Sequence, residues 1–358
     1  MVLSVISSFA MWFGLVPVVS RSVEWTVPVL ASGYLATGSV SGSLLQAFNL
    51  VVGTMIYIPF IRQSERVQDR EFLGKIKRLE ASMNEDERSV WVRDFRWNTY
   101  ENQQTAKLLA SDLEYALSKG ALELYYQPQV KRDGTLYGCE ALLRWNYMGQ
   151  GFVYPPLIIA LAVQGDFIGT LGMYIVEKAC RDMAGARTQA GCPVSFSVNI
   201  LPLELEDPSF ADQVLKILKD TGVEGSNLTI ELTEQVALNP GPNLERQLEK
   251  LRESRVRISM DDFGMGHGSL NYLNSAHYDE VKIDGSLIRR LPEHTQTCEL
   301  VGNIMNMSRI LGVNTVAECV ETPEQIQMLE KLGCSIYQGY YYSRPLPRDA
   351  FIEYVKGL

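Results

Sequence analysis

The sequence is short of what several common chemistries require. Its six cysteines, Cys139, Cys180, Cys192, Cys298, Cys319 and Cys334, never fall in CxxC spacing, so no thiolate metal clamp or dithiol motif is encoded. Scattered thiols of this kind suit a reducing compartment. Three histidines, His267, His277 and His294, are too few for a histidine-rich metal centre. No GxGxxG run follows a first strand, which argues against a doubly wound dinucleotide fold. Low-complexity tracts and short repeats are absent. Basic side chains are also scarce, 33 against 42 acidic ones, for a formal charge of -9. That excludes a nucleic-acid polymer as partner, because such binding rests on Lys and Arg set against phosphates. A phosphate-bearing ligand here needs metal ions or a few well-placed bases.

What is present is unevenly spread. The 358 residues, 46% of them apolar, suffice for one large domain and something smaller. Val2 to Ser20 and Val40 to Ile61 carry no charge, and each is long enough to cross a hydrocarbon layer of about 30 Å as a helix. Between them Arg21, Glu24 and a Pro- and Gly-containing stretch suit a turn or a re-entrant segment. A signal peptide is the rival reading of the first run, but a basic leading region is missing. The spacing therefore predicts a transmembrane hairpin over residues 1–62. Arg62, Arg66, Arg70, Lys75, Lys77 and Arg78 follow at once, which by the positive-inside rule sets the rest of the chain in the cytoplasm. From 63 to 107 the chain is charged and helix-favouring. Phe72, Ile76, Leu79 and Met83 recur at spacings of three or four, as on one face of a juxtamembrane helix or a short coiled coil.

After Ser111 apparent strands alternate with helix-length segments. The strands are Leu122 to Pro128, Leu136 to Leu143, Val194 to Asn199, Leu228 to Glu231, Val256 to Asp261, Glu280 to Ile283, Asn314 to Glu318 and one near Ile336. Eight strands in about 240 residues fit a (β/α)8 barrel in size and count. Glu140, Asn199, Glu231, Asp261 and Glu318 lie in or at the end of five different strands, and Asp262 follows one. In a barrel the strand ends converge on one mouth, so these positions form one cluster of oxygen ligands. Carboxylates and an amide, without His or Cys, select hard cations such as Mg²⁺ or Mn²⁺. Adjacent acids would repel one another unless divalent ions lay between them, and a pair of ions is the usual device for cleaving a phosphodiester.

Eight segments, YQPQV (126–130), EALLRW (140–145), SVN (197–199), ELTE (231–234), DDFGMGHGSLNYL (261–273), VKIDGSLI (281–288), AECVE (317–321) and YQGYYYSRPLP (337–347), stand in one order. In that order they resemble the EAL-domain cyclic-di-GMP phosphodiesterases over residues 108–358. The resemblance implies a TIM-like barrel that hydrolyses cyclic-di-GMP to linear 5'-pGpG with two divalent cations, and pairing into a homodimer. It assigns Glu140, Asn199, Glu231, Asp261, Asp262 and Glu318 as metal ligands. Lys282 would hold the attacking water or the phosphate, with Glu318 helping to position and deprotonate that water. Glu234 is matched to the carboxylate that braces the loop after DDFG, Glu321 and Gln338 to water-positioning or supporting groups, and Gln127, Leu142 and Arg144 to substrate contacts. The histidines His267 and His277 are read as non-catalytic.

Val163, Asp166, Met265, Gly268, Cys319 and Ser335 depart from the family pattern. Asp166 and Cys319 stand where it has glycine. None of the six is an assigned metal ligand. The alternative expectation is a catalytically weak barrel acting as a cyclic-di-GMP sensor or an interaction module. No GG(D/E)EF run exists, so a synthase role has no support. The run TGSVSGSLLQAFNLVVGTMIYIPFIR is similar to the last membrane segments of lactose/cellobiose-type phosphotransferase sugar permeases (EIIC). That likeness implies an anchor that can meet another membrane protein, and places the chain as a multi-pass protein of a bacterial inner membrane.

Overall fold

The structure, a computed structural model, describes residues 72–81, 83, 99–191, 194–234, 242–264 and 278–357. The expected hairpin and the permease-like run lie outside the described residues, as do Met265, His267, Gly268 and His277. No helix among the described residues is long and apolar enough to cross a membrane. The chain divides into two compact units, Met1–Lys75 and Ile76–Leu358. Of the first unit only residues 72–75 are described.

In chain order the elements are helix α1 (72–81), α2 (Tyr100–Ser118), strands β1 (Glu123–Lys131) and β2 (Leu136–Arg144), then α3 (Pro155–Gln164) and α4 (Ile168–Ala190). Then come β3 (Phe196–Asn199), α5 (Pro202–Leu205), α6 (Phe210–Thr221), β4 (Leu228–Thr233), α7 (Pro242–Glu253) and β5 (Arg257–Phe263). The last part holds β6 (Glu280–Ile283), α8 (Gly285–Ile288), α9 (Thr295–Leu311), β7 (Asn314–Ala317), α10 (Pro323–Leu332), β8 (Ile336–Gln338), β9 (Leu346–Pro347) and α11 (Arg348–Lys356).

The sheet closes on itself. Strands run in the order β2-β3-β4-β5-β6-β7-β8-β1, with β1 also bonded to β2. This is the expected eight-stranded TIM-like barrel, with one difference: β1 runs antiparallel to both β2 and β8, while the pairs from β2 to β8 are parallel. The cause is local. Parallel neighbours need a crossover of a dozen or more residues, whereas β1 and β2 are joined by a tight turn. In it Lys131 N donates to Thr135 O at 2.8 Å, and Asp133 Oδ1 accepts from the Thr135 amide at 3.0 Å and hydroxyl at 2.6 Å. Gly134 takes φ +84°, the left-handed conformation that a turn of this kind asks of glycine.

The helices carry ordinary start and stop signals. Thr322 caps α10 by accepting from Gln325 N at 3.3 Å, Pro323 opens it, and Gly333 ends it at φ +95°. Between helices and strands lies the apolar layer that holds them, with Leu157, Leu171, Val214, Leu251, Val301 and Leu329 almost wholly buried. Burying each such side chain stabilises by about 1.5–3 kcal/mol.

Candidate active site

The strand ends deliver their polar side chains to one mouth. Asn199 is the last residue of β3, Glu231 lies near the end of β4, Lys282 is the last but one of β6, and Glu318 follows β7 directly. Glu140 enters from the middle of β2.

Adjacent residues of a regular strand point to opposite faces, so two successive aspartates should not share a site. Here β5 breaks its ladder. Met260 pairs with Val281 but Phe263 pairs with Ile283, three steps on one strand against two on the other. The extra residue, Asp262, takes φ +56°, a left-handed conformation that Asp tolerates better than most side chains. The bulge re-aims it, and a carboxylate oxygen from each of Asp261, Asp262 and Glu318 comes within 4.8 Å of the others.

Lys282 is the hub. Its buried Nζ lies 2.7 Å from Glu318 Oε1, 2.8 Å from Glu231 Oε2, 3.2 Å from Asp261 Oδ1 and 3.3 Å from Glu140 Oε2. Burial works against the ammonium, but the four carboxylates outweigh it and hold its pKa well above the ordinary lysine value. Glu140 is further bonded by Gln338 Nε2 at 2.6 Å and Asn199 Nδ2 at 2.7 Å. Burial pushes Glu140 up, yet Lys282 and these two donors hold it below the ordinary glutamate range. The other acids lack such support. Burial, with the neighbouring acids adding to it against the pull of Lys282, raises Glu231 far above the carboxylate range, raises Asp261, and pushes Glu318 up to about 8.

Four carboxylates therefore surround one lysine, a fifth, that of Asp262, lies beside Asp261 and Glu318, and Glu231 Oε1 is buried with no hydrogen-bond partner among the described residues. An orphaned carboxylate oxygen in an all-oxygen donor set fits hard divalent cations: they would supply the positive charge that keeps these acids ionised together. Glu140, Asn199, Glu231, Asp261, Asp262 and Glu318 are the residues placed to hold them.

Around this centre, Glu234 Oε2 accepts from Gly264 N at 3.2 Å, so its carboxylate ties β4 to the start of the loop after DDFG. Gln127 donates to Ser343 O at 3.2 Å and accepts from Gln338 at 3.3 Å. Leu142 is half-buried on β2 opposite Tyr125. The Arg144 guanidinium lies over the Tyr125 ring, 5.7 Å from its centroid, and Nη1 donates to Leu143 O at 2.9 Å. Burial lowers its pKa, against the pull of Tyr340 and Glu140. Glu321 is not brought into the network: it is exposed, and its backbone N donates to Gln325 Oε1 at 2.8 Å. Gln129, which sequence reasoning passed over, donates to Gln338 Oε1 at 3.0 Å. The signal was its spacing of two from Gln127, which sets both on the barrel interior.

Both residues that stand where the resemblance expects glycine adopt left-handed backbone, Asp166 at φ +59° and Cys319 at φ +52°. The Cys319 Sγ packs against Gly285, leaving no room there for a Cβ, and accepts from Arg289 Nη2 at 3.3 Å.

Residues 110–345 match the family model for the EAL domain. The oxygen sensor protein DosP of Escherichia coli is 36% identical over 243 residues, 68% of this chain and 30% of that protein. The cyclic di-GMP phosphodiesterase NbdA of Pseudomonas aeruginosa is 34% identical over 249 residues, 69% of this chain and 32% of that one. The solved PaMucR phosphodiesterase in complex with c-di-GMP superposes with a TM-score of 0.65 at 34% identity, covering 68% of this chain and 99% of that one. The chain thus spans about a third of the length of these two curated relatives. A match over most of its length, on a closed barrel with this mouth, means that the chain belongs to the EAL domain family.

Proposed function

We propose that this chain hydrolyses cyclic-di-GMP to linear 5'-pGpG, using two divalent cations, Mg²⁺ or Mn²⁺. The observation that carries the reading is the mouth itself: four acids around Lys282, Asp262 beside two of them, and Glu231 Oε1 unpartnered among the described residues. Relatives named as cyclic di-GMP phosphodiesterases, and a solved relative holding c-di-GMP, supply the substrate class.

The cations, when bound by the six oxygen-bearing residues, would neutralise charge on the phosphodiester and favour attack by water. The protein's own groups do the rest. The Arg144 guanidinium offers a fork of donors to a phosphate, and its seat over Tyr125 fixes where that fork lies. Gln127 and Leu142, the other two residues matched to substrate contacts, would touch the substrate as well. Lys282 places an ammonium where negative charge grows, and Glu318, 2.7 Å from it, accepts the proton of the attacking water. Gln338 and Asn199 hold Glu140 in one orientation, and Glu234 holds Gly264.

The same proposal assigns residues 1–62 as a transmembrane anchor resembling an EIIC remnant, 63–107 as a helical linker and 108–358 as the phosphodiesterase domain. The protein would then lower this messenger at a bacterial inner membrane, with the barrel in the cytoplasm, as a homodimer, and meet a membrane partner through the anchor. The charge-free runs Val2 to Ser20 and Val40 to Ile61, followed by basic residues, support the anchor.

The test is pGpG release by the full chain with cyclic-di-GMP and Mg²⁺. Glu140→Ala and Asp261→Asn should make almost none, and wild-type-like turnover by either would sink the assignment. Membrane fractionation of the full chain and of residues 100–358 tests the anchor: the shorter chain should leave the membrane pellet.

A further inference from the structure

The segment between β2 and α3 starts at the residue after Arg144, and two helices that precede the barrel hold it by carboxylates. Glu80 of α1 accepts from Tyr154 N at 3.0 Å, at the residue that opens α3. A carboxylate at a helix N-terminus satisfies an orphan N–H and complements the helix dipole. Asp112 of α2 accepts from the Tyr147 hydroxyl at 2.9 Å. The helix that carries Glu80 is seated rather than loosely laid, since Ile76 and Leu79 are 2% and 0% exposed. Glu80 also holds Lys77 at 3.0 Å, and Arg78 reaches Glu101 of α2 at 3.3 Å.

The segment so held is a closed loop. Val153 N donates to Trp145 O at 2.9 Å, Tyr147 N to Gly151 O at 2.9 Å, and Gly151 N to Asn146 Oδ1 at 3.2 Å. A shift at Tyr154 is therefore carried back to Trp145, the neighbour of Arg144. A second route is aromatic: Phe152 meets the Tyr125 ring edge-on, with centroids 5.6 Å apart, and Arg144 lies over that same ring. Glu80 lies outside the 110–345 span that matches the family model.

We propose that Glu80 is a positioning residue for the substrate-facing cation: α1 clamps the 145–154 loop through Tyr154 N, and the loop sets Arg144. The inference rests on the phosphodiesterase reading for its substrate. It makes α1 more than a spacer, because any displacement of that helix by the chain before it would be read as a change in substrate affinity.

The experiment uses the full chain. Glu80→Ala should raise KM for cyclic-di-GMP about fivefold, with kcat within about twofold, because a charge-assisted bond to the loop is lost while the catalytic centre is untouched. Glu80→Gln, which keeps an acceptor, should recover most of that loss. In an Arg144→Ala background the Glu80→Ala effect should vanish, as expected of residues acting through one group. Amide exchange over 147–158 should quicken in Glu80→Ala. An unchanged KM with unchanged exchange, or an effect fully additive with Arg144→Ala, overturns the proposal. A lower melting temperature with KM unchanged would reduce Glu80 to a packing role and also overturns it. If the wild-type chain released no pGpG, the functional reading would fall, and exchange over 147–158 would decide the clamp.

Discussion

Two polar layers share the barrel interior, and they differ in charge balance. On β6, Lys282 faces the mouth and Glu280, two residues earlier, faces the floor. The mouth sets five acids against one lysine. The floor sets one acid against one guanidinium: Glu280 Oε1 accepts from Ser259 Oγ at 3.1 Å, and Arg257 Nη1 and Asn314 Nδ2 each donate to Tyr137 OH at 3.3 Å. Burial pushes Glu280 up, opposed by Tyr137 and Arg257. Glu280 on the floor is buried, as Lys282 at the mouth is, and both layers are polar, so neither property marks the active site. The excess of like charge does, because such a cluster persists only if something cationic joins it or if its acids are protonated.

The contrast should be widest when the hub is removed. Lys282→Met takes the one buried cation from among four carboxylates, an uncompensated loss that costs about 3–5 kcal/mol. We expect the melting temperature to fall by about 10 °C without added metal, and pGpG release to drop at least about a thousandfold. Glu280→Gln on the floor should leave turnover within about tenfold of wild type. Equal losses at both positions would erase the distinction between the layers.

Metal removal sharpens the same comparison. Saturating Mg²⁺ should raise the melting temperature of the wild type by several degrees over an EDTA control, since a ligand that binds only the folded state stabilises it. Glu280→Gln should keep that rise, whereas Asp262→Asn should lose most of it. A rise that survives Asp262→Asn intact would place the ions elsewhere.

A buried acid outside both layers separates burial from metal. Glu204, on α5, accepts from Leu201 N at 2.7 Å through Oε2, while Oε1 has no partner among the described residues. Its carboxyl fills the space at Gly172 that a Cβ would otherwise occupy. Burial pushes its pKa up to about 8. A carboxyl raised in the folded state binds its proton more tightly there, so its contribution is full below about pH 4.5 and is lost as pH rises towards about 8. The share of stability that comes from Glu204 should therefore fall by a few kcal/mol over that window, at about 1.4 kcal/mol for each tenfold difference in proton affinity between the folded and unfolded chain. Glu204→Gln should flatten the fall in urea titrations at about pH 5 and pH 8, with no change in the response to Mg²⁺. A pH slope unchanged by Glu204→Gln would refute the assignment.

Much of this was legible before the structure. The strand positions hold to within a few residues, because β-branched and apolar runs between turn signals leave little choice. The oxygen-bearing residues of the mouth could be named because they recur at strand ends. Two features were not legible from periodicity. The antiparallel β1 follows from the Asp133-Gly134 turn, a hairpin signal that strand counting alone ignores. The side-by-side use of Asp261 and Asp262 depends on a one-residue bulge, which alternation forbids and only the pairing with β6 reveals. The floor went unseen for another reason: Tyr137, Arg257, Glu280 and Asn314 come from four strands and carry no motif.

The smallest effect concerns backbone strain near the mouth and away from it. Asp166 and Cys319 both hold left-handed backbone where a side chain is disfavoured. Asp166 is exposed, so Asp166→Gly should relieve the strain and stabilise by about 0.5 kcal/mol, the gain being trimmed by the greater freedom of glycine in the unfolded chain. At Cys319 the same relief is set against loss of the Sγ contacts with Gly285 and Arg289, so Cys319→Gly should change stability by less than about 0.5 kcal/mol. Urea midpoints of the two variants isolate the side-chain share, because the backbone term is common to both. A larger gain at Cys319 than at Asp166 would mean that the thiol is itself a strained fit, and that the chain beside Glu318 is held away from its relaxed path.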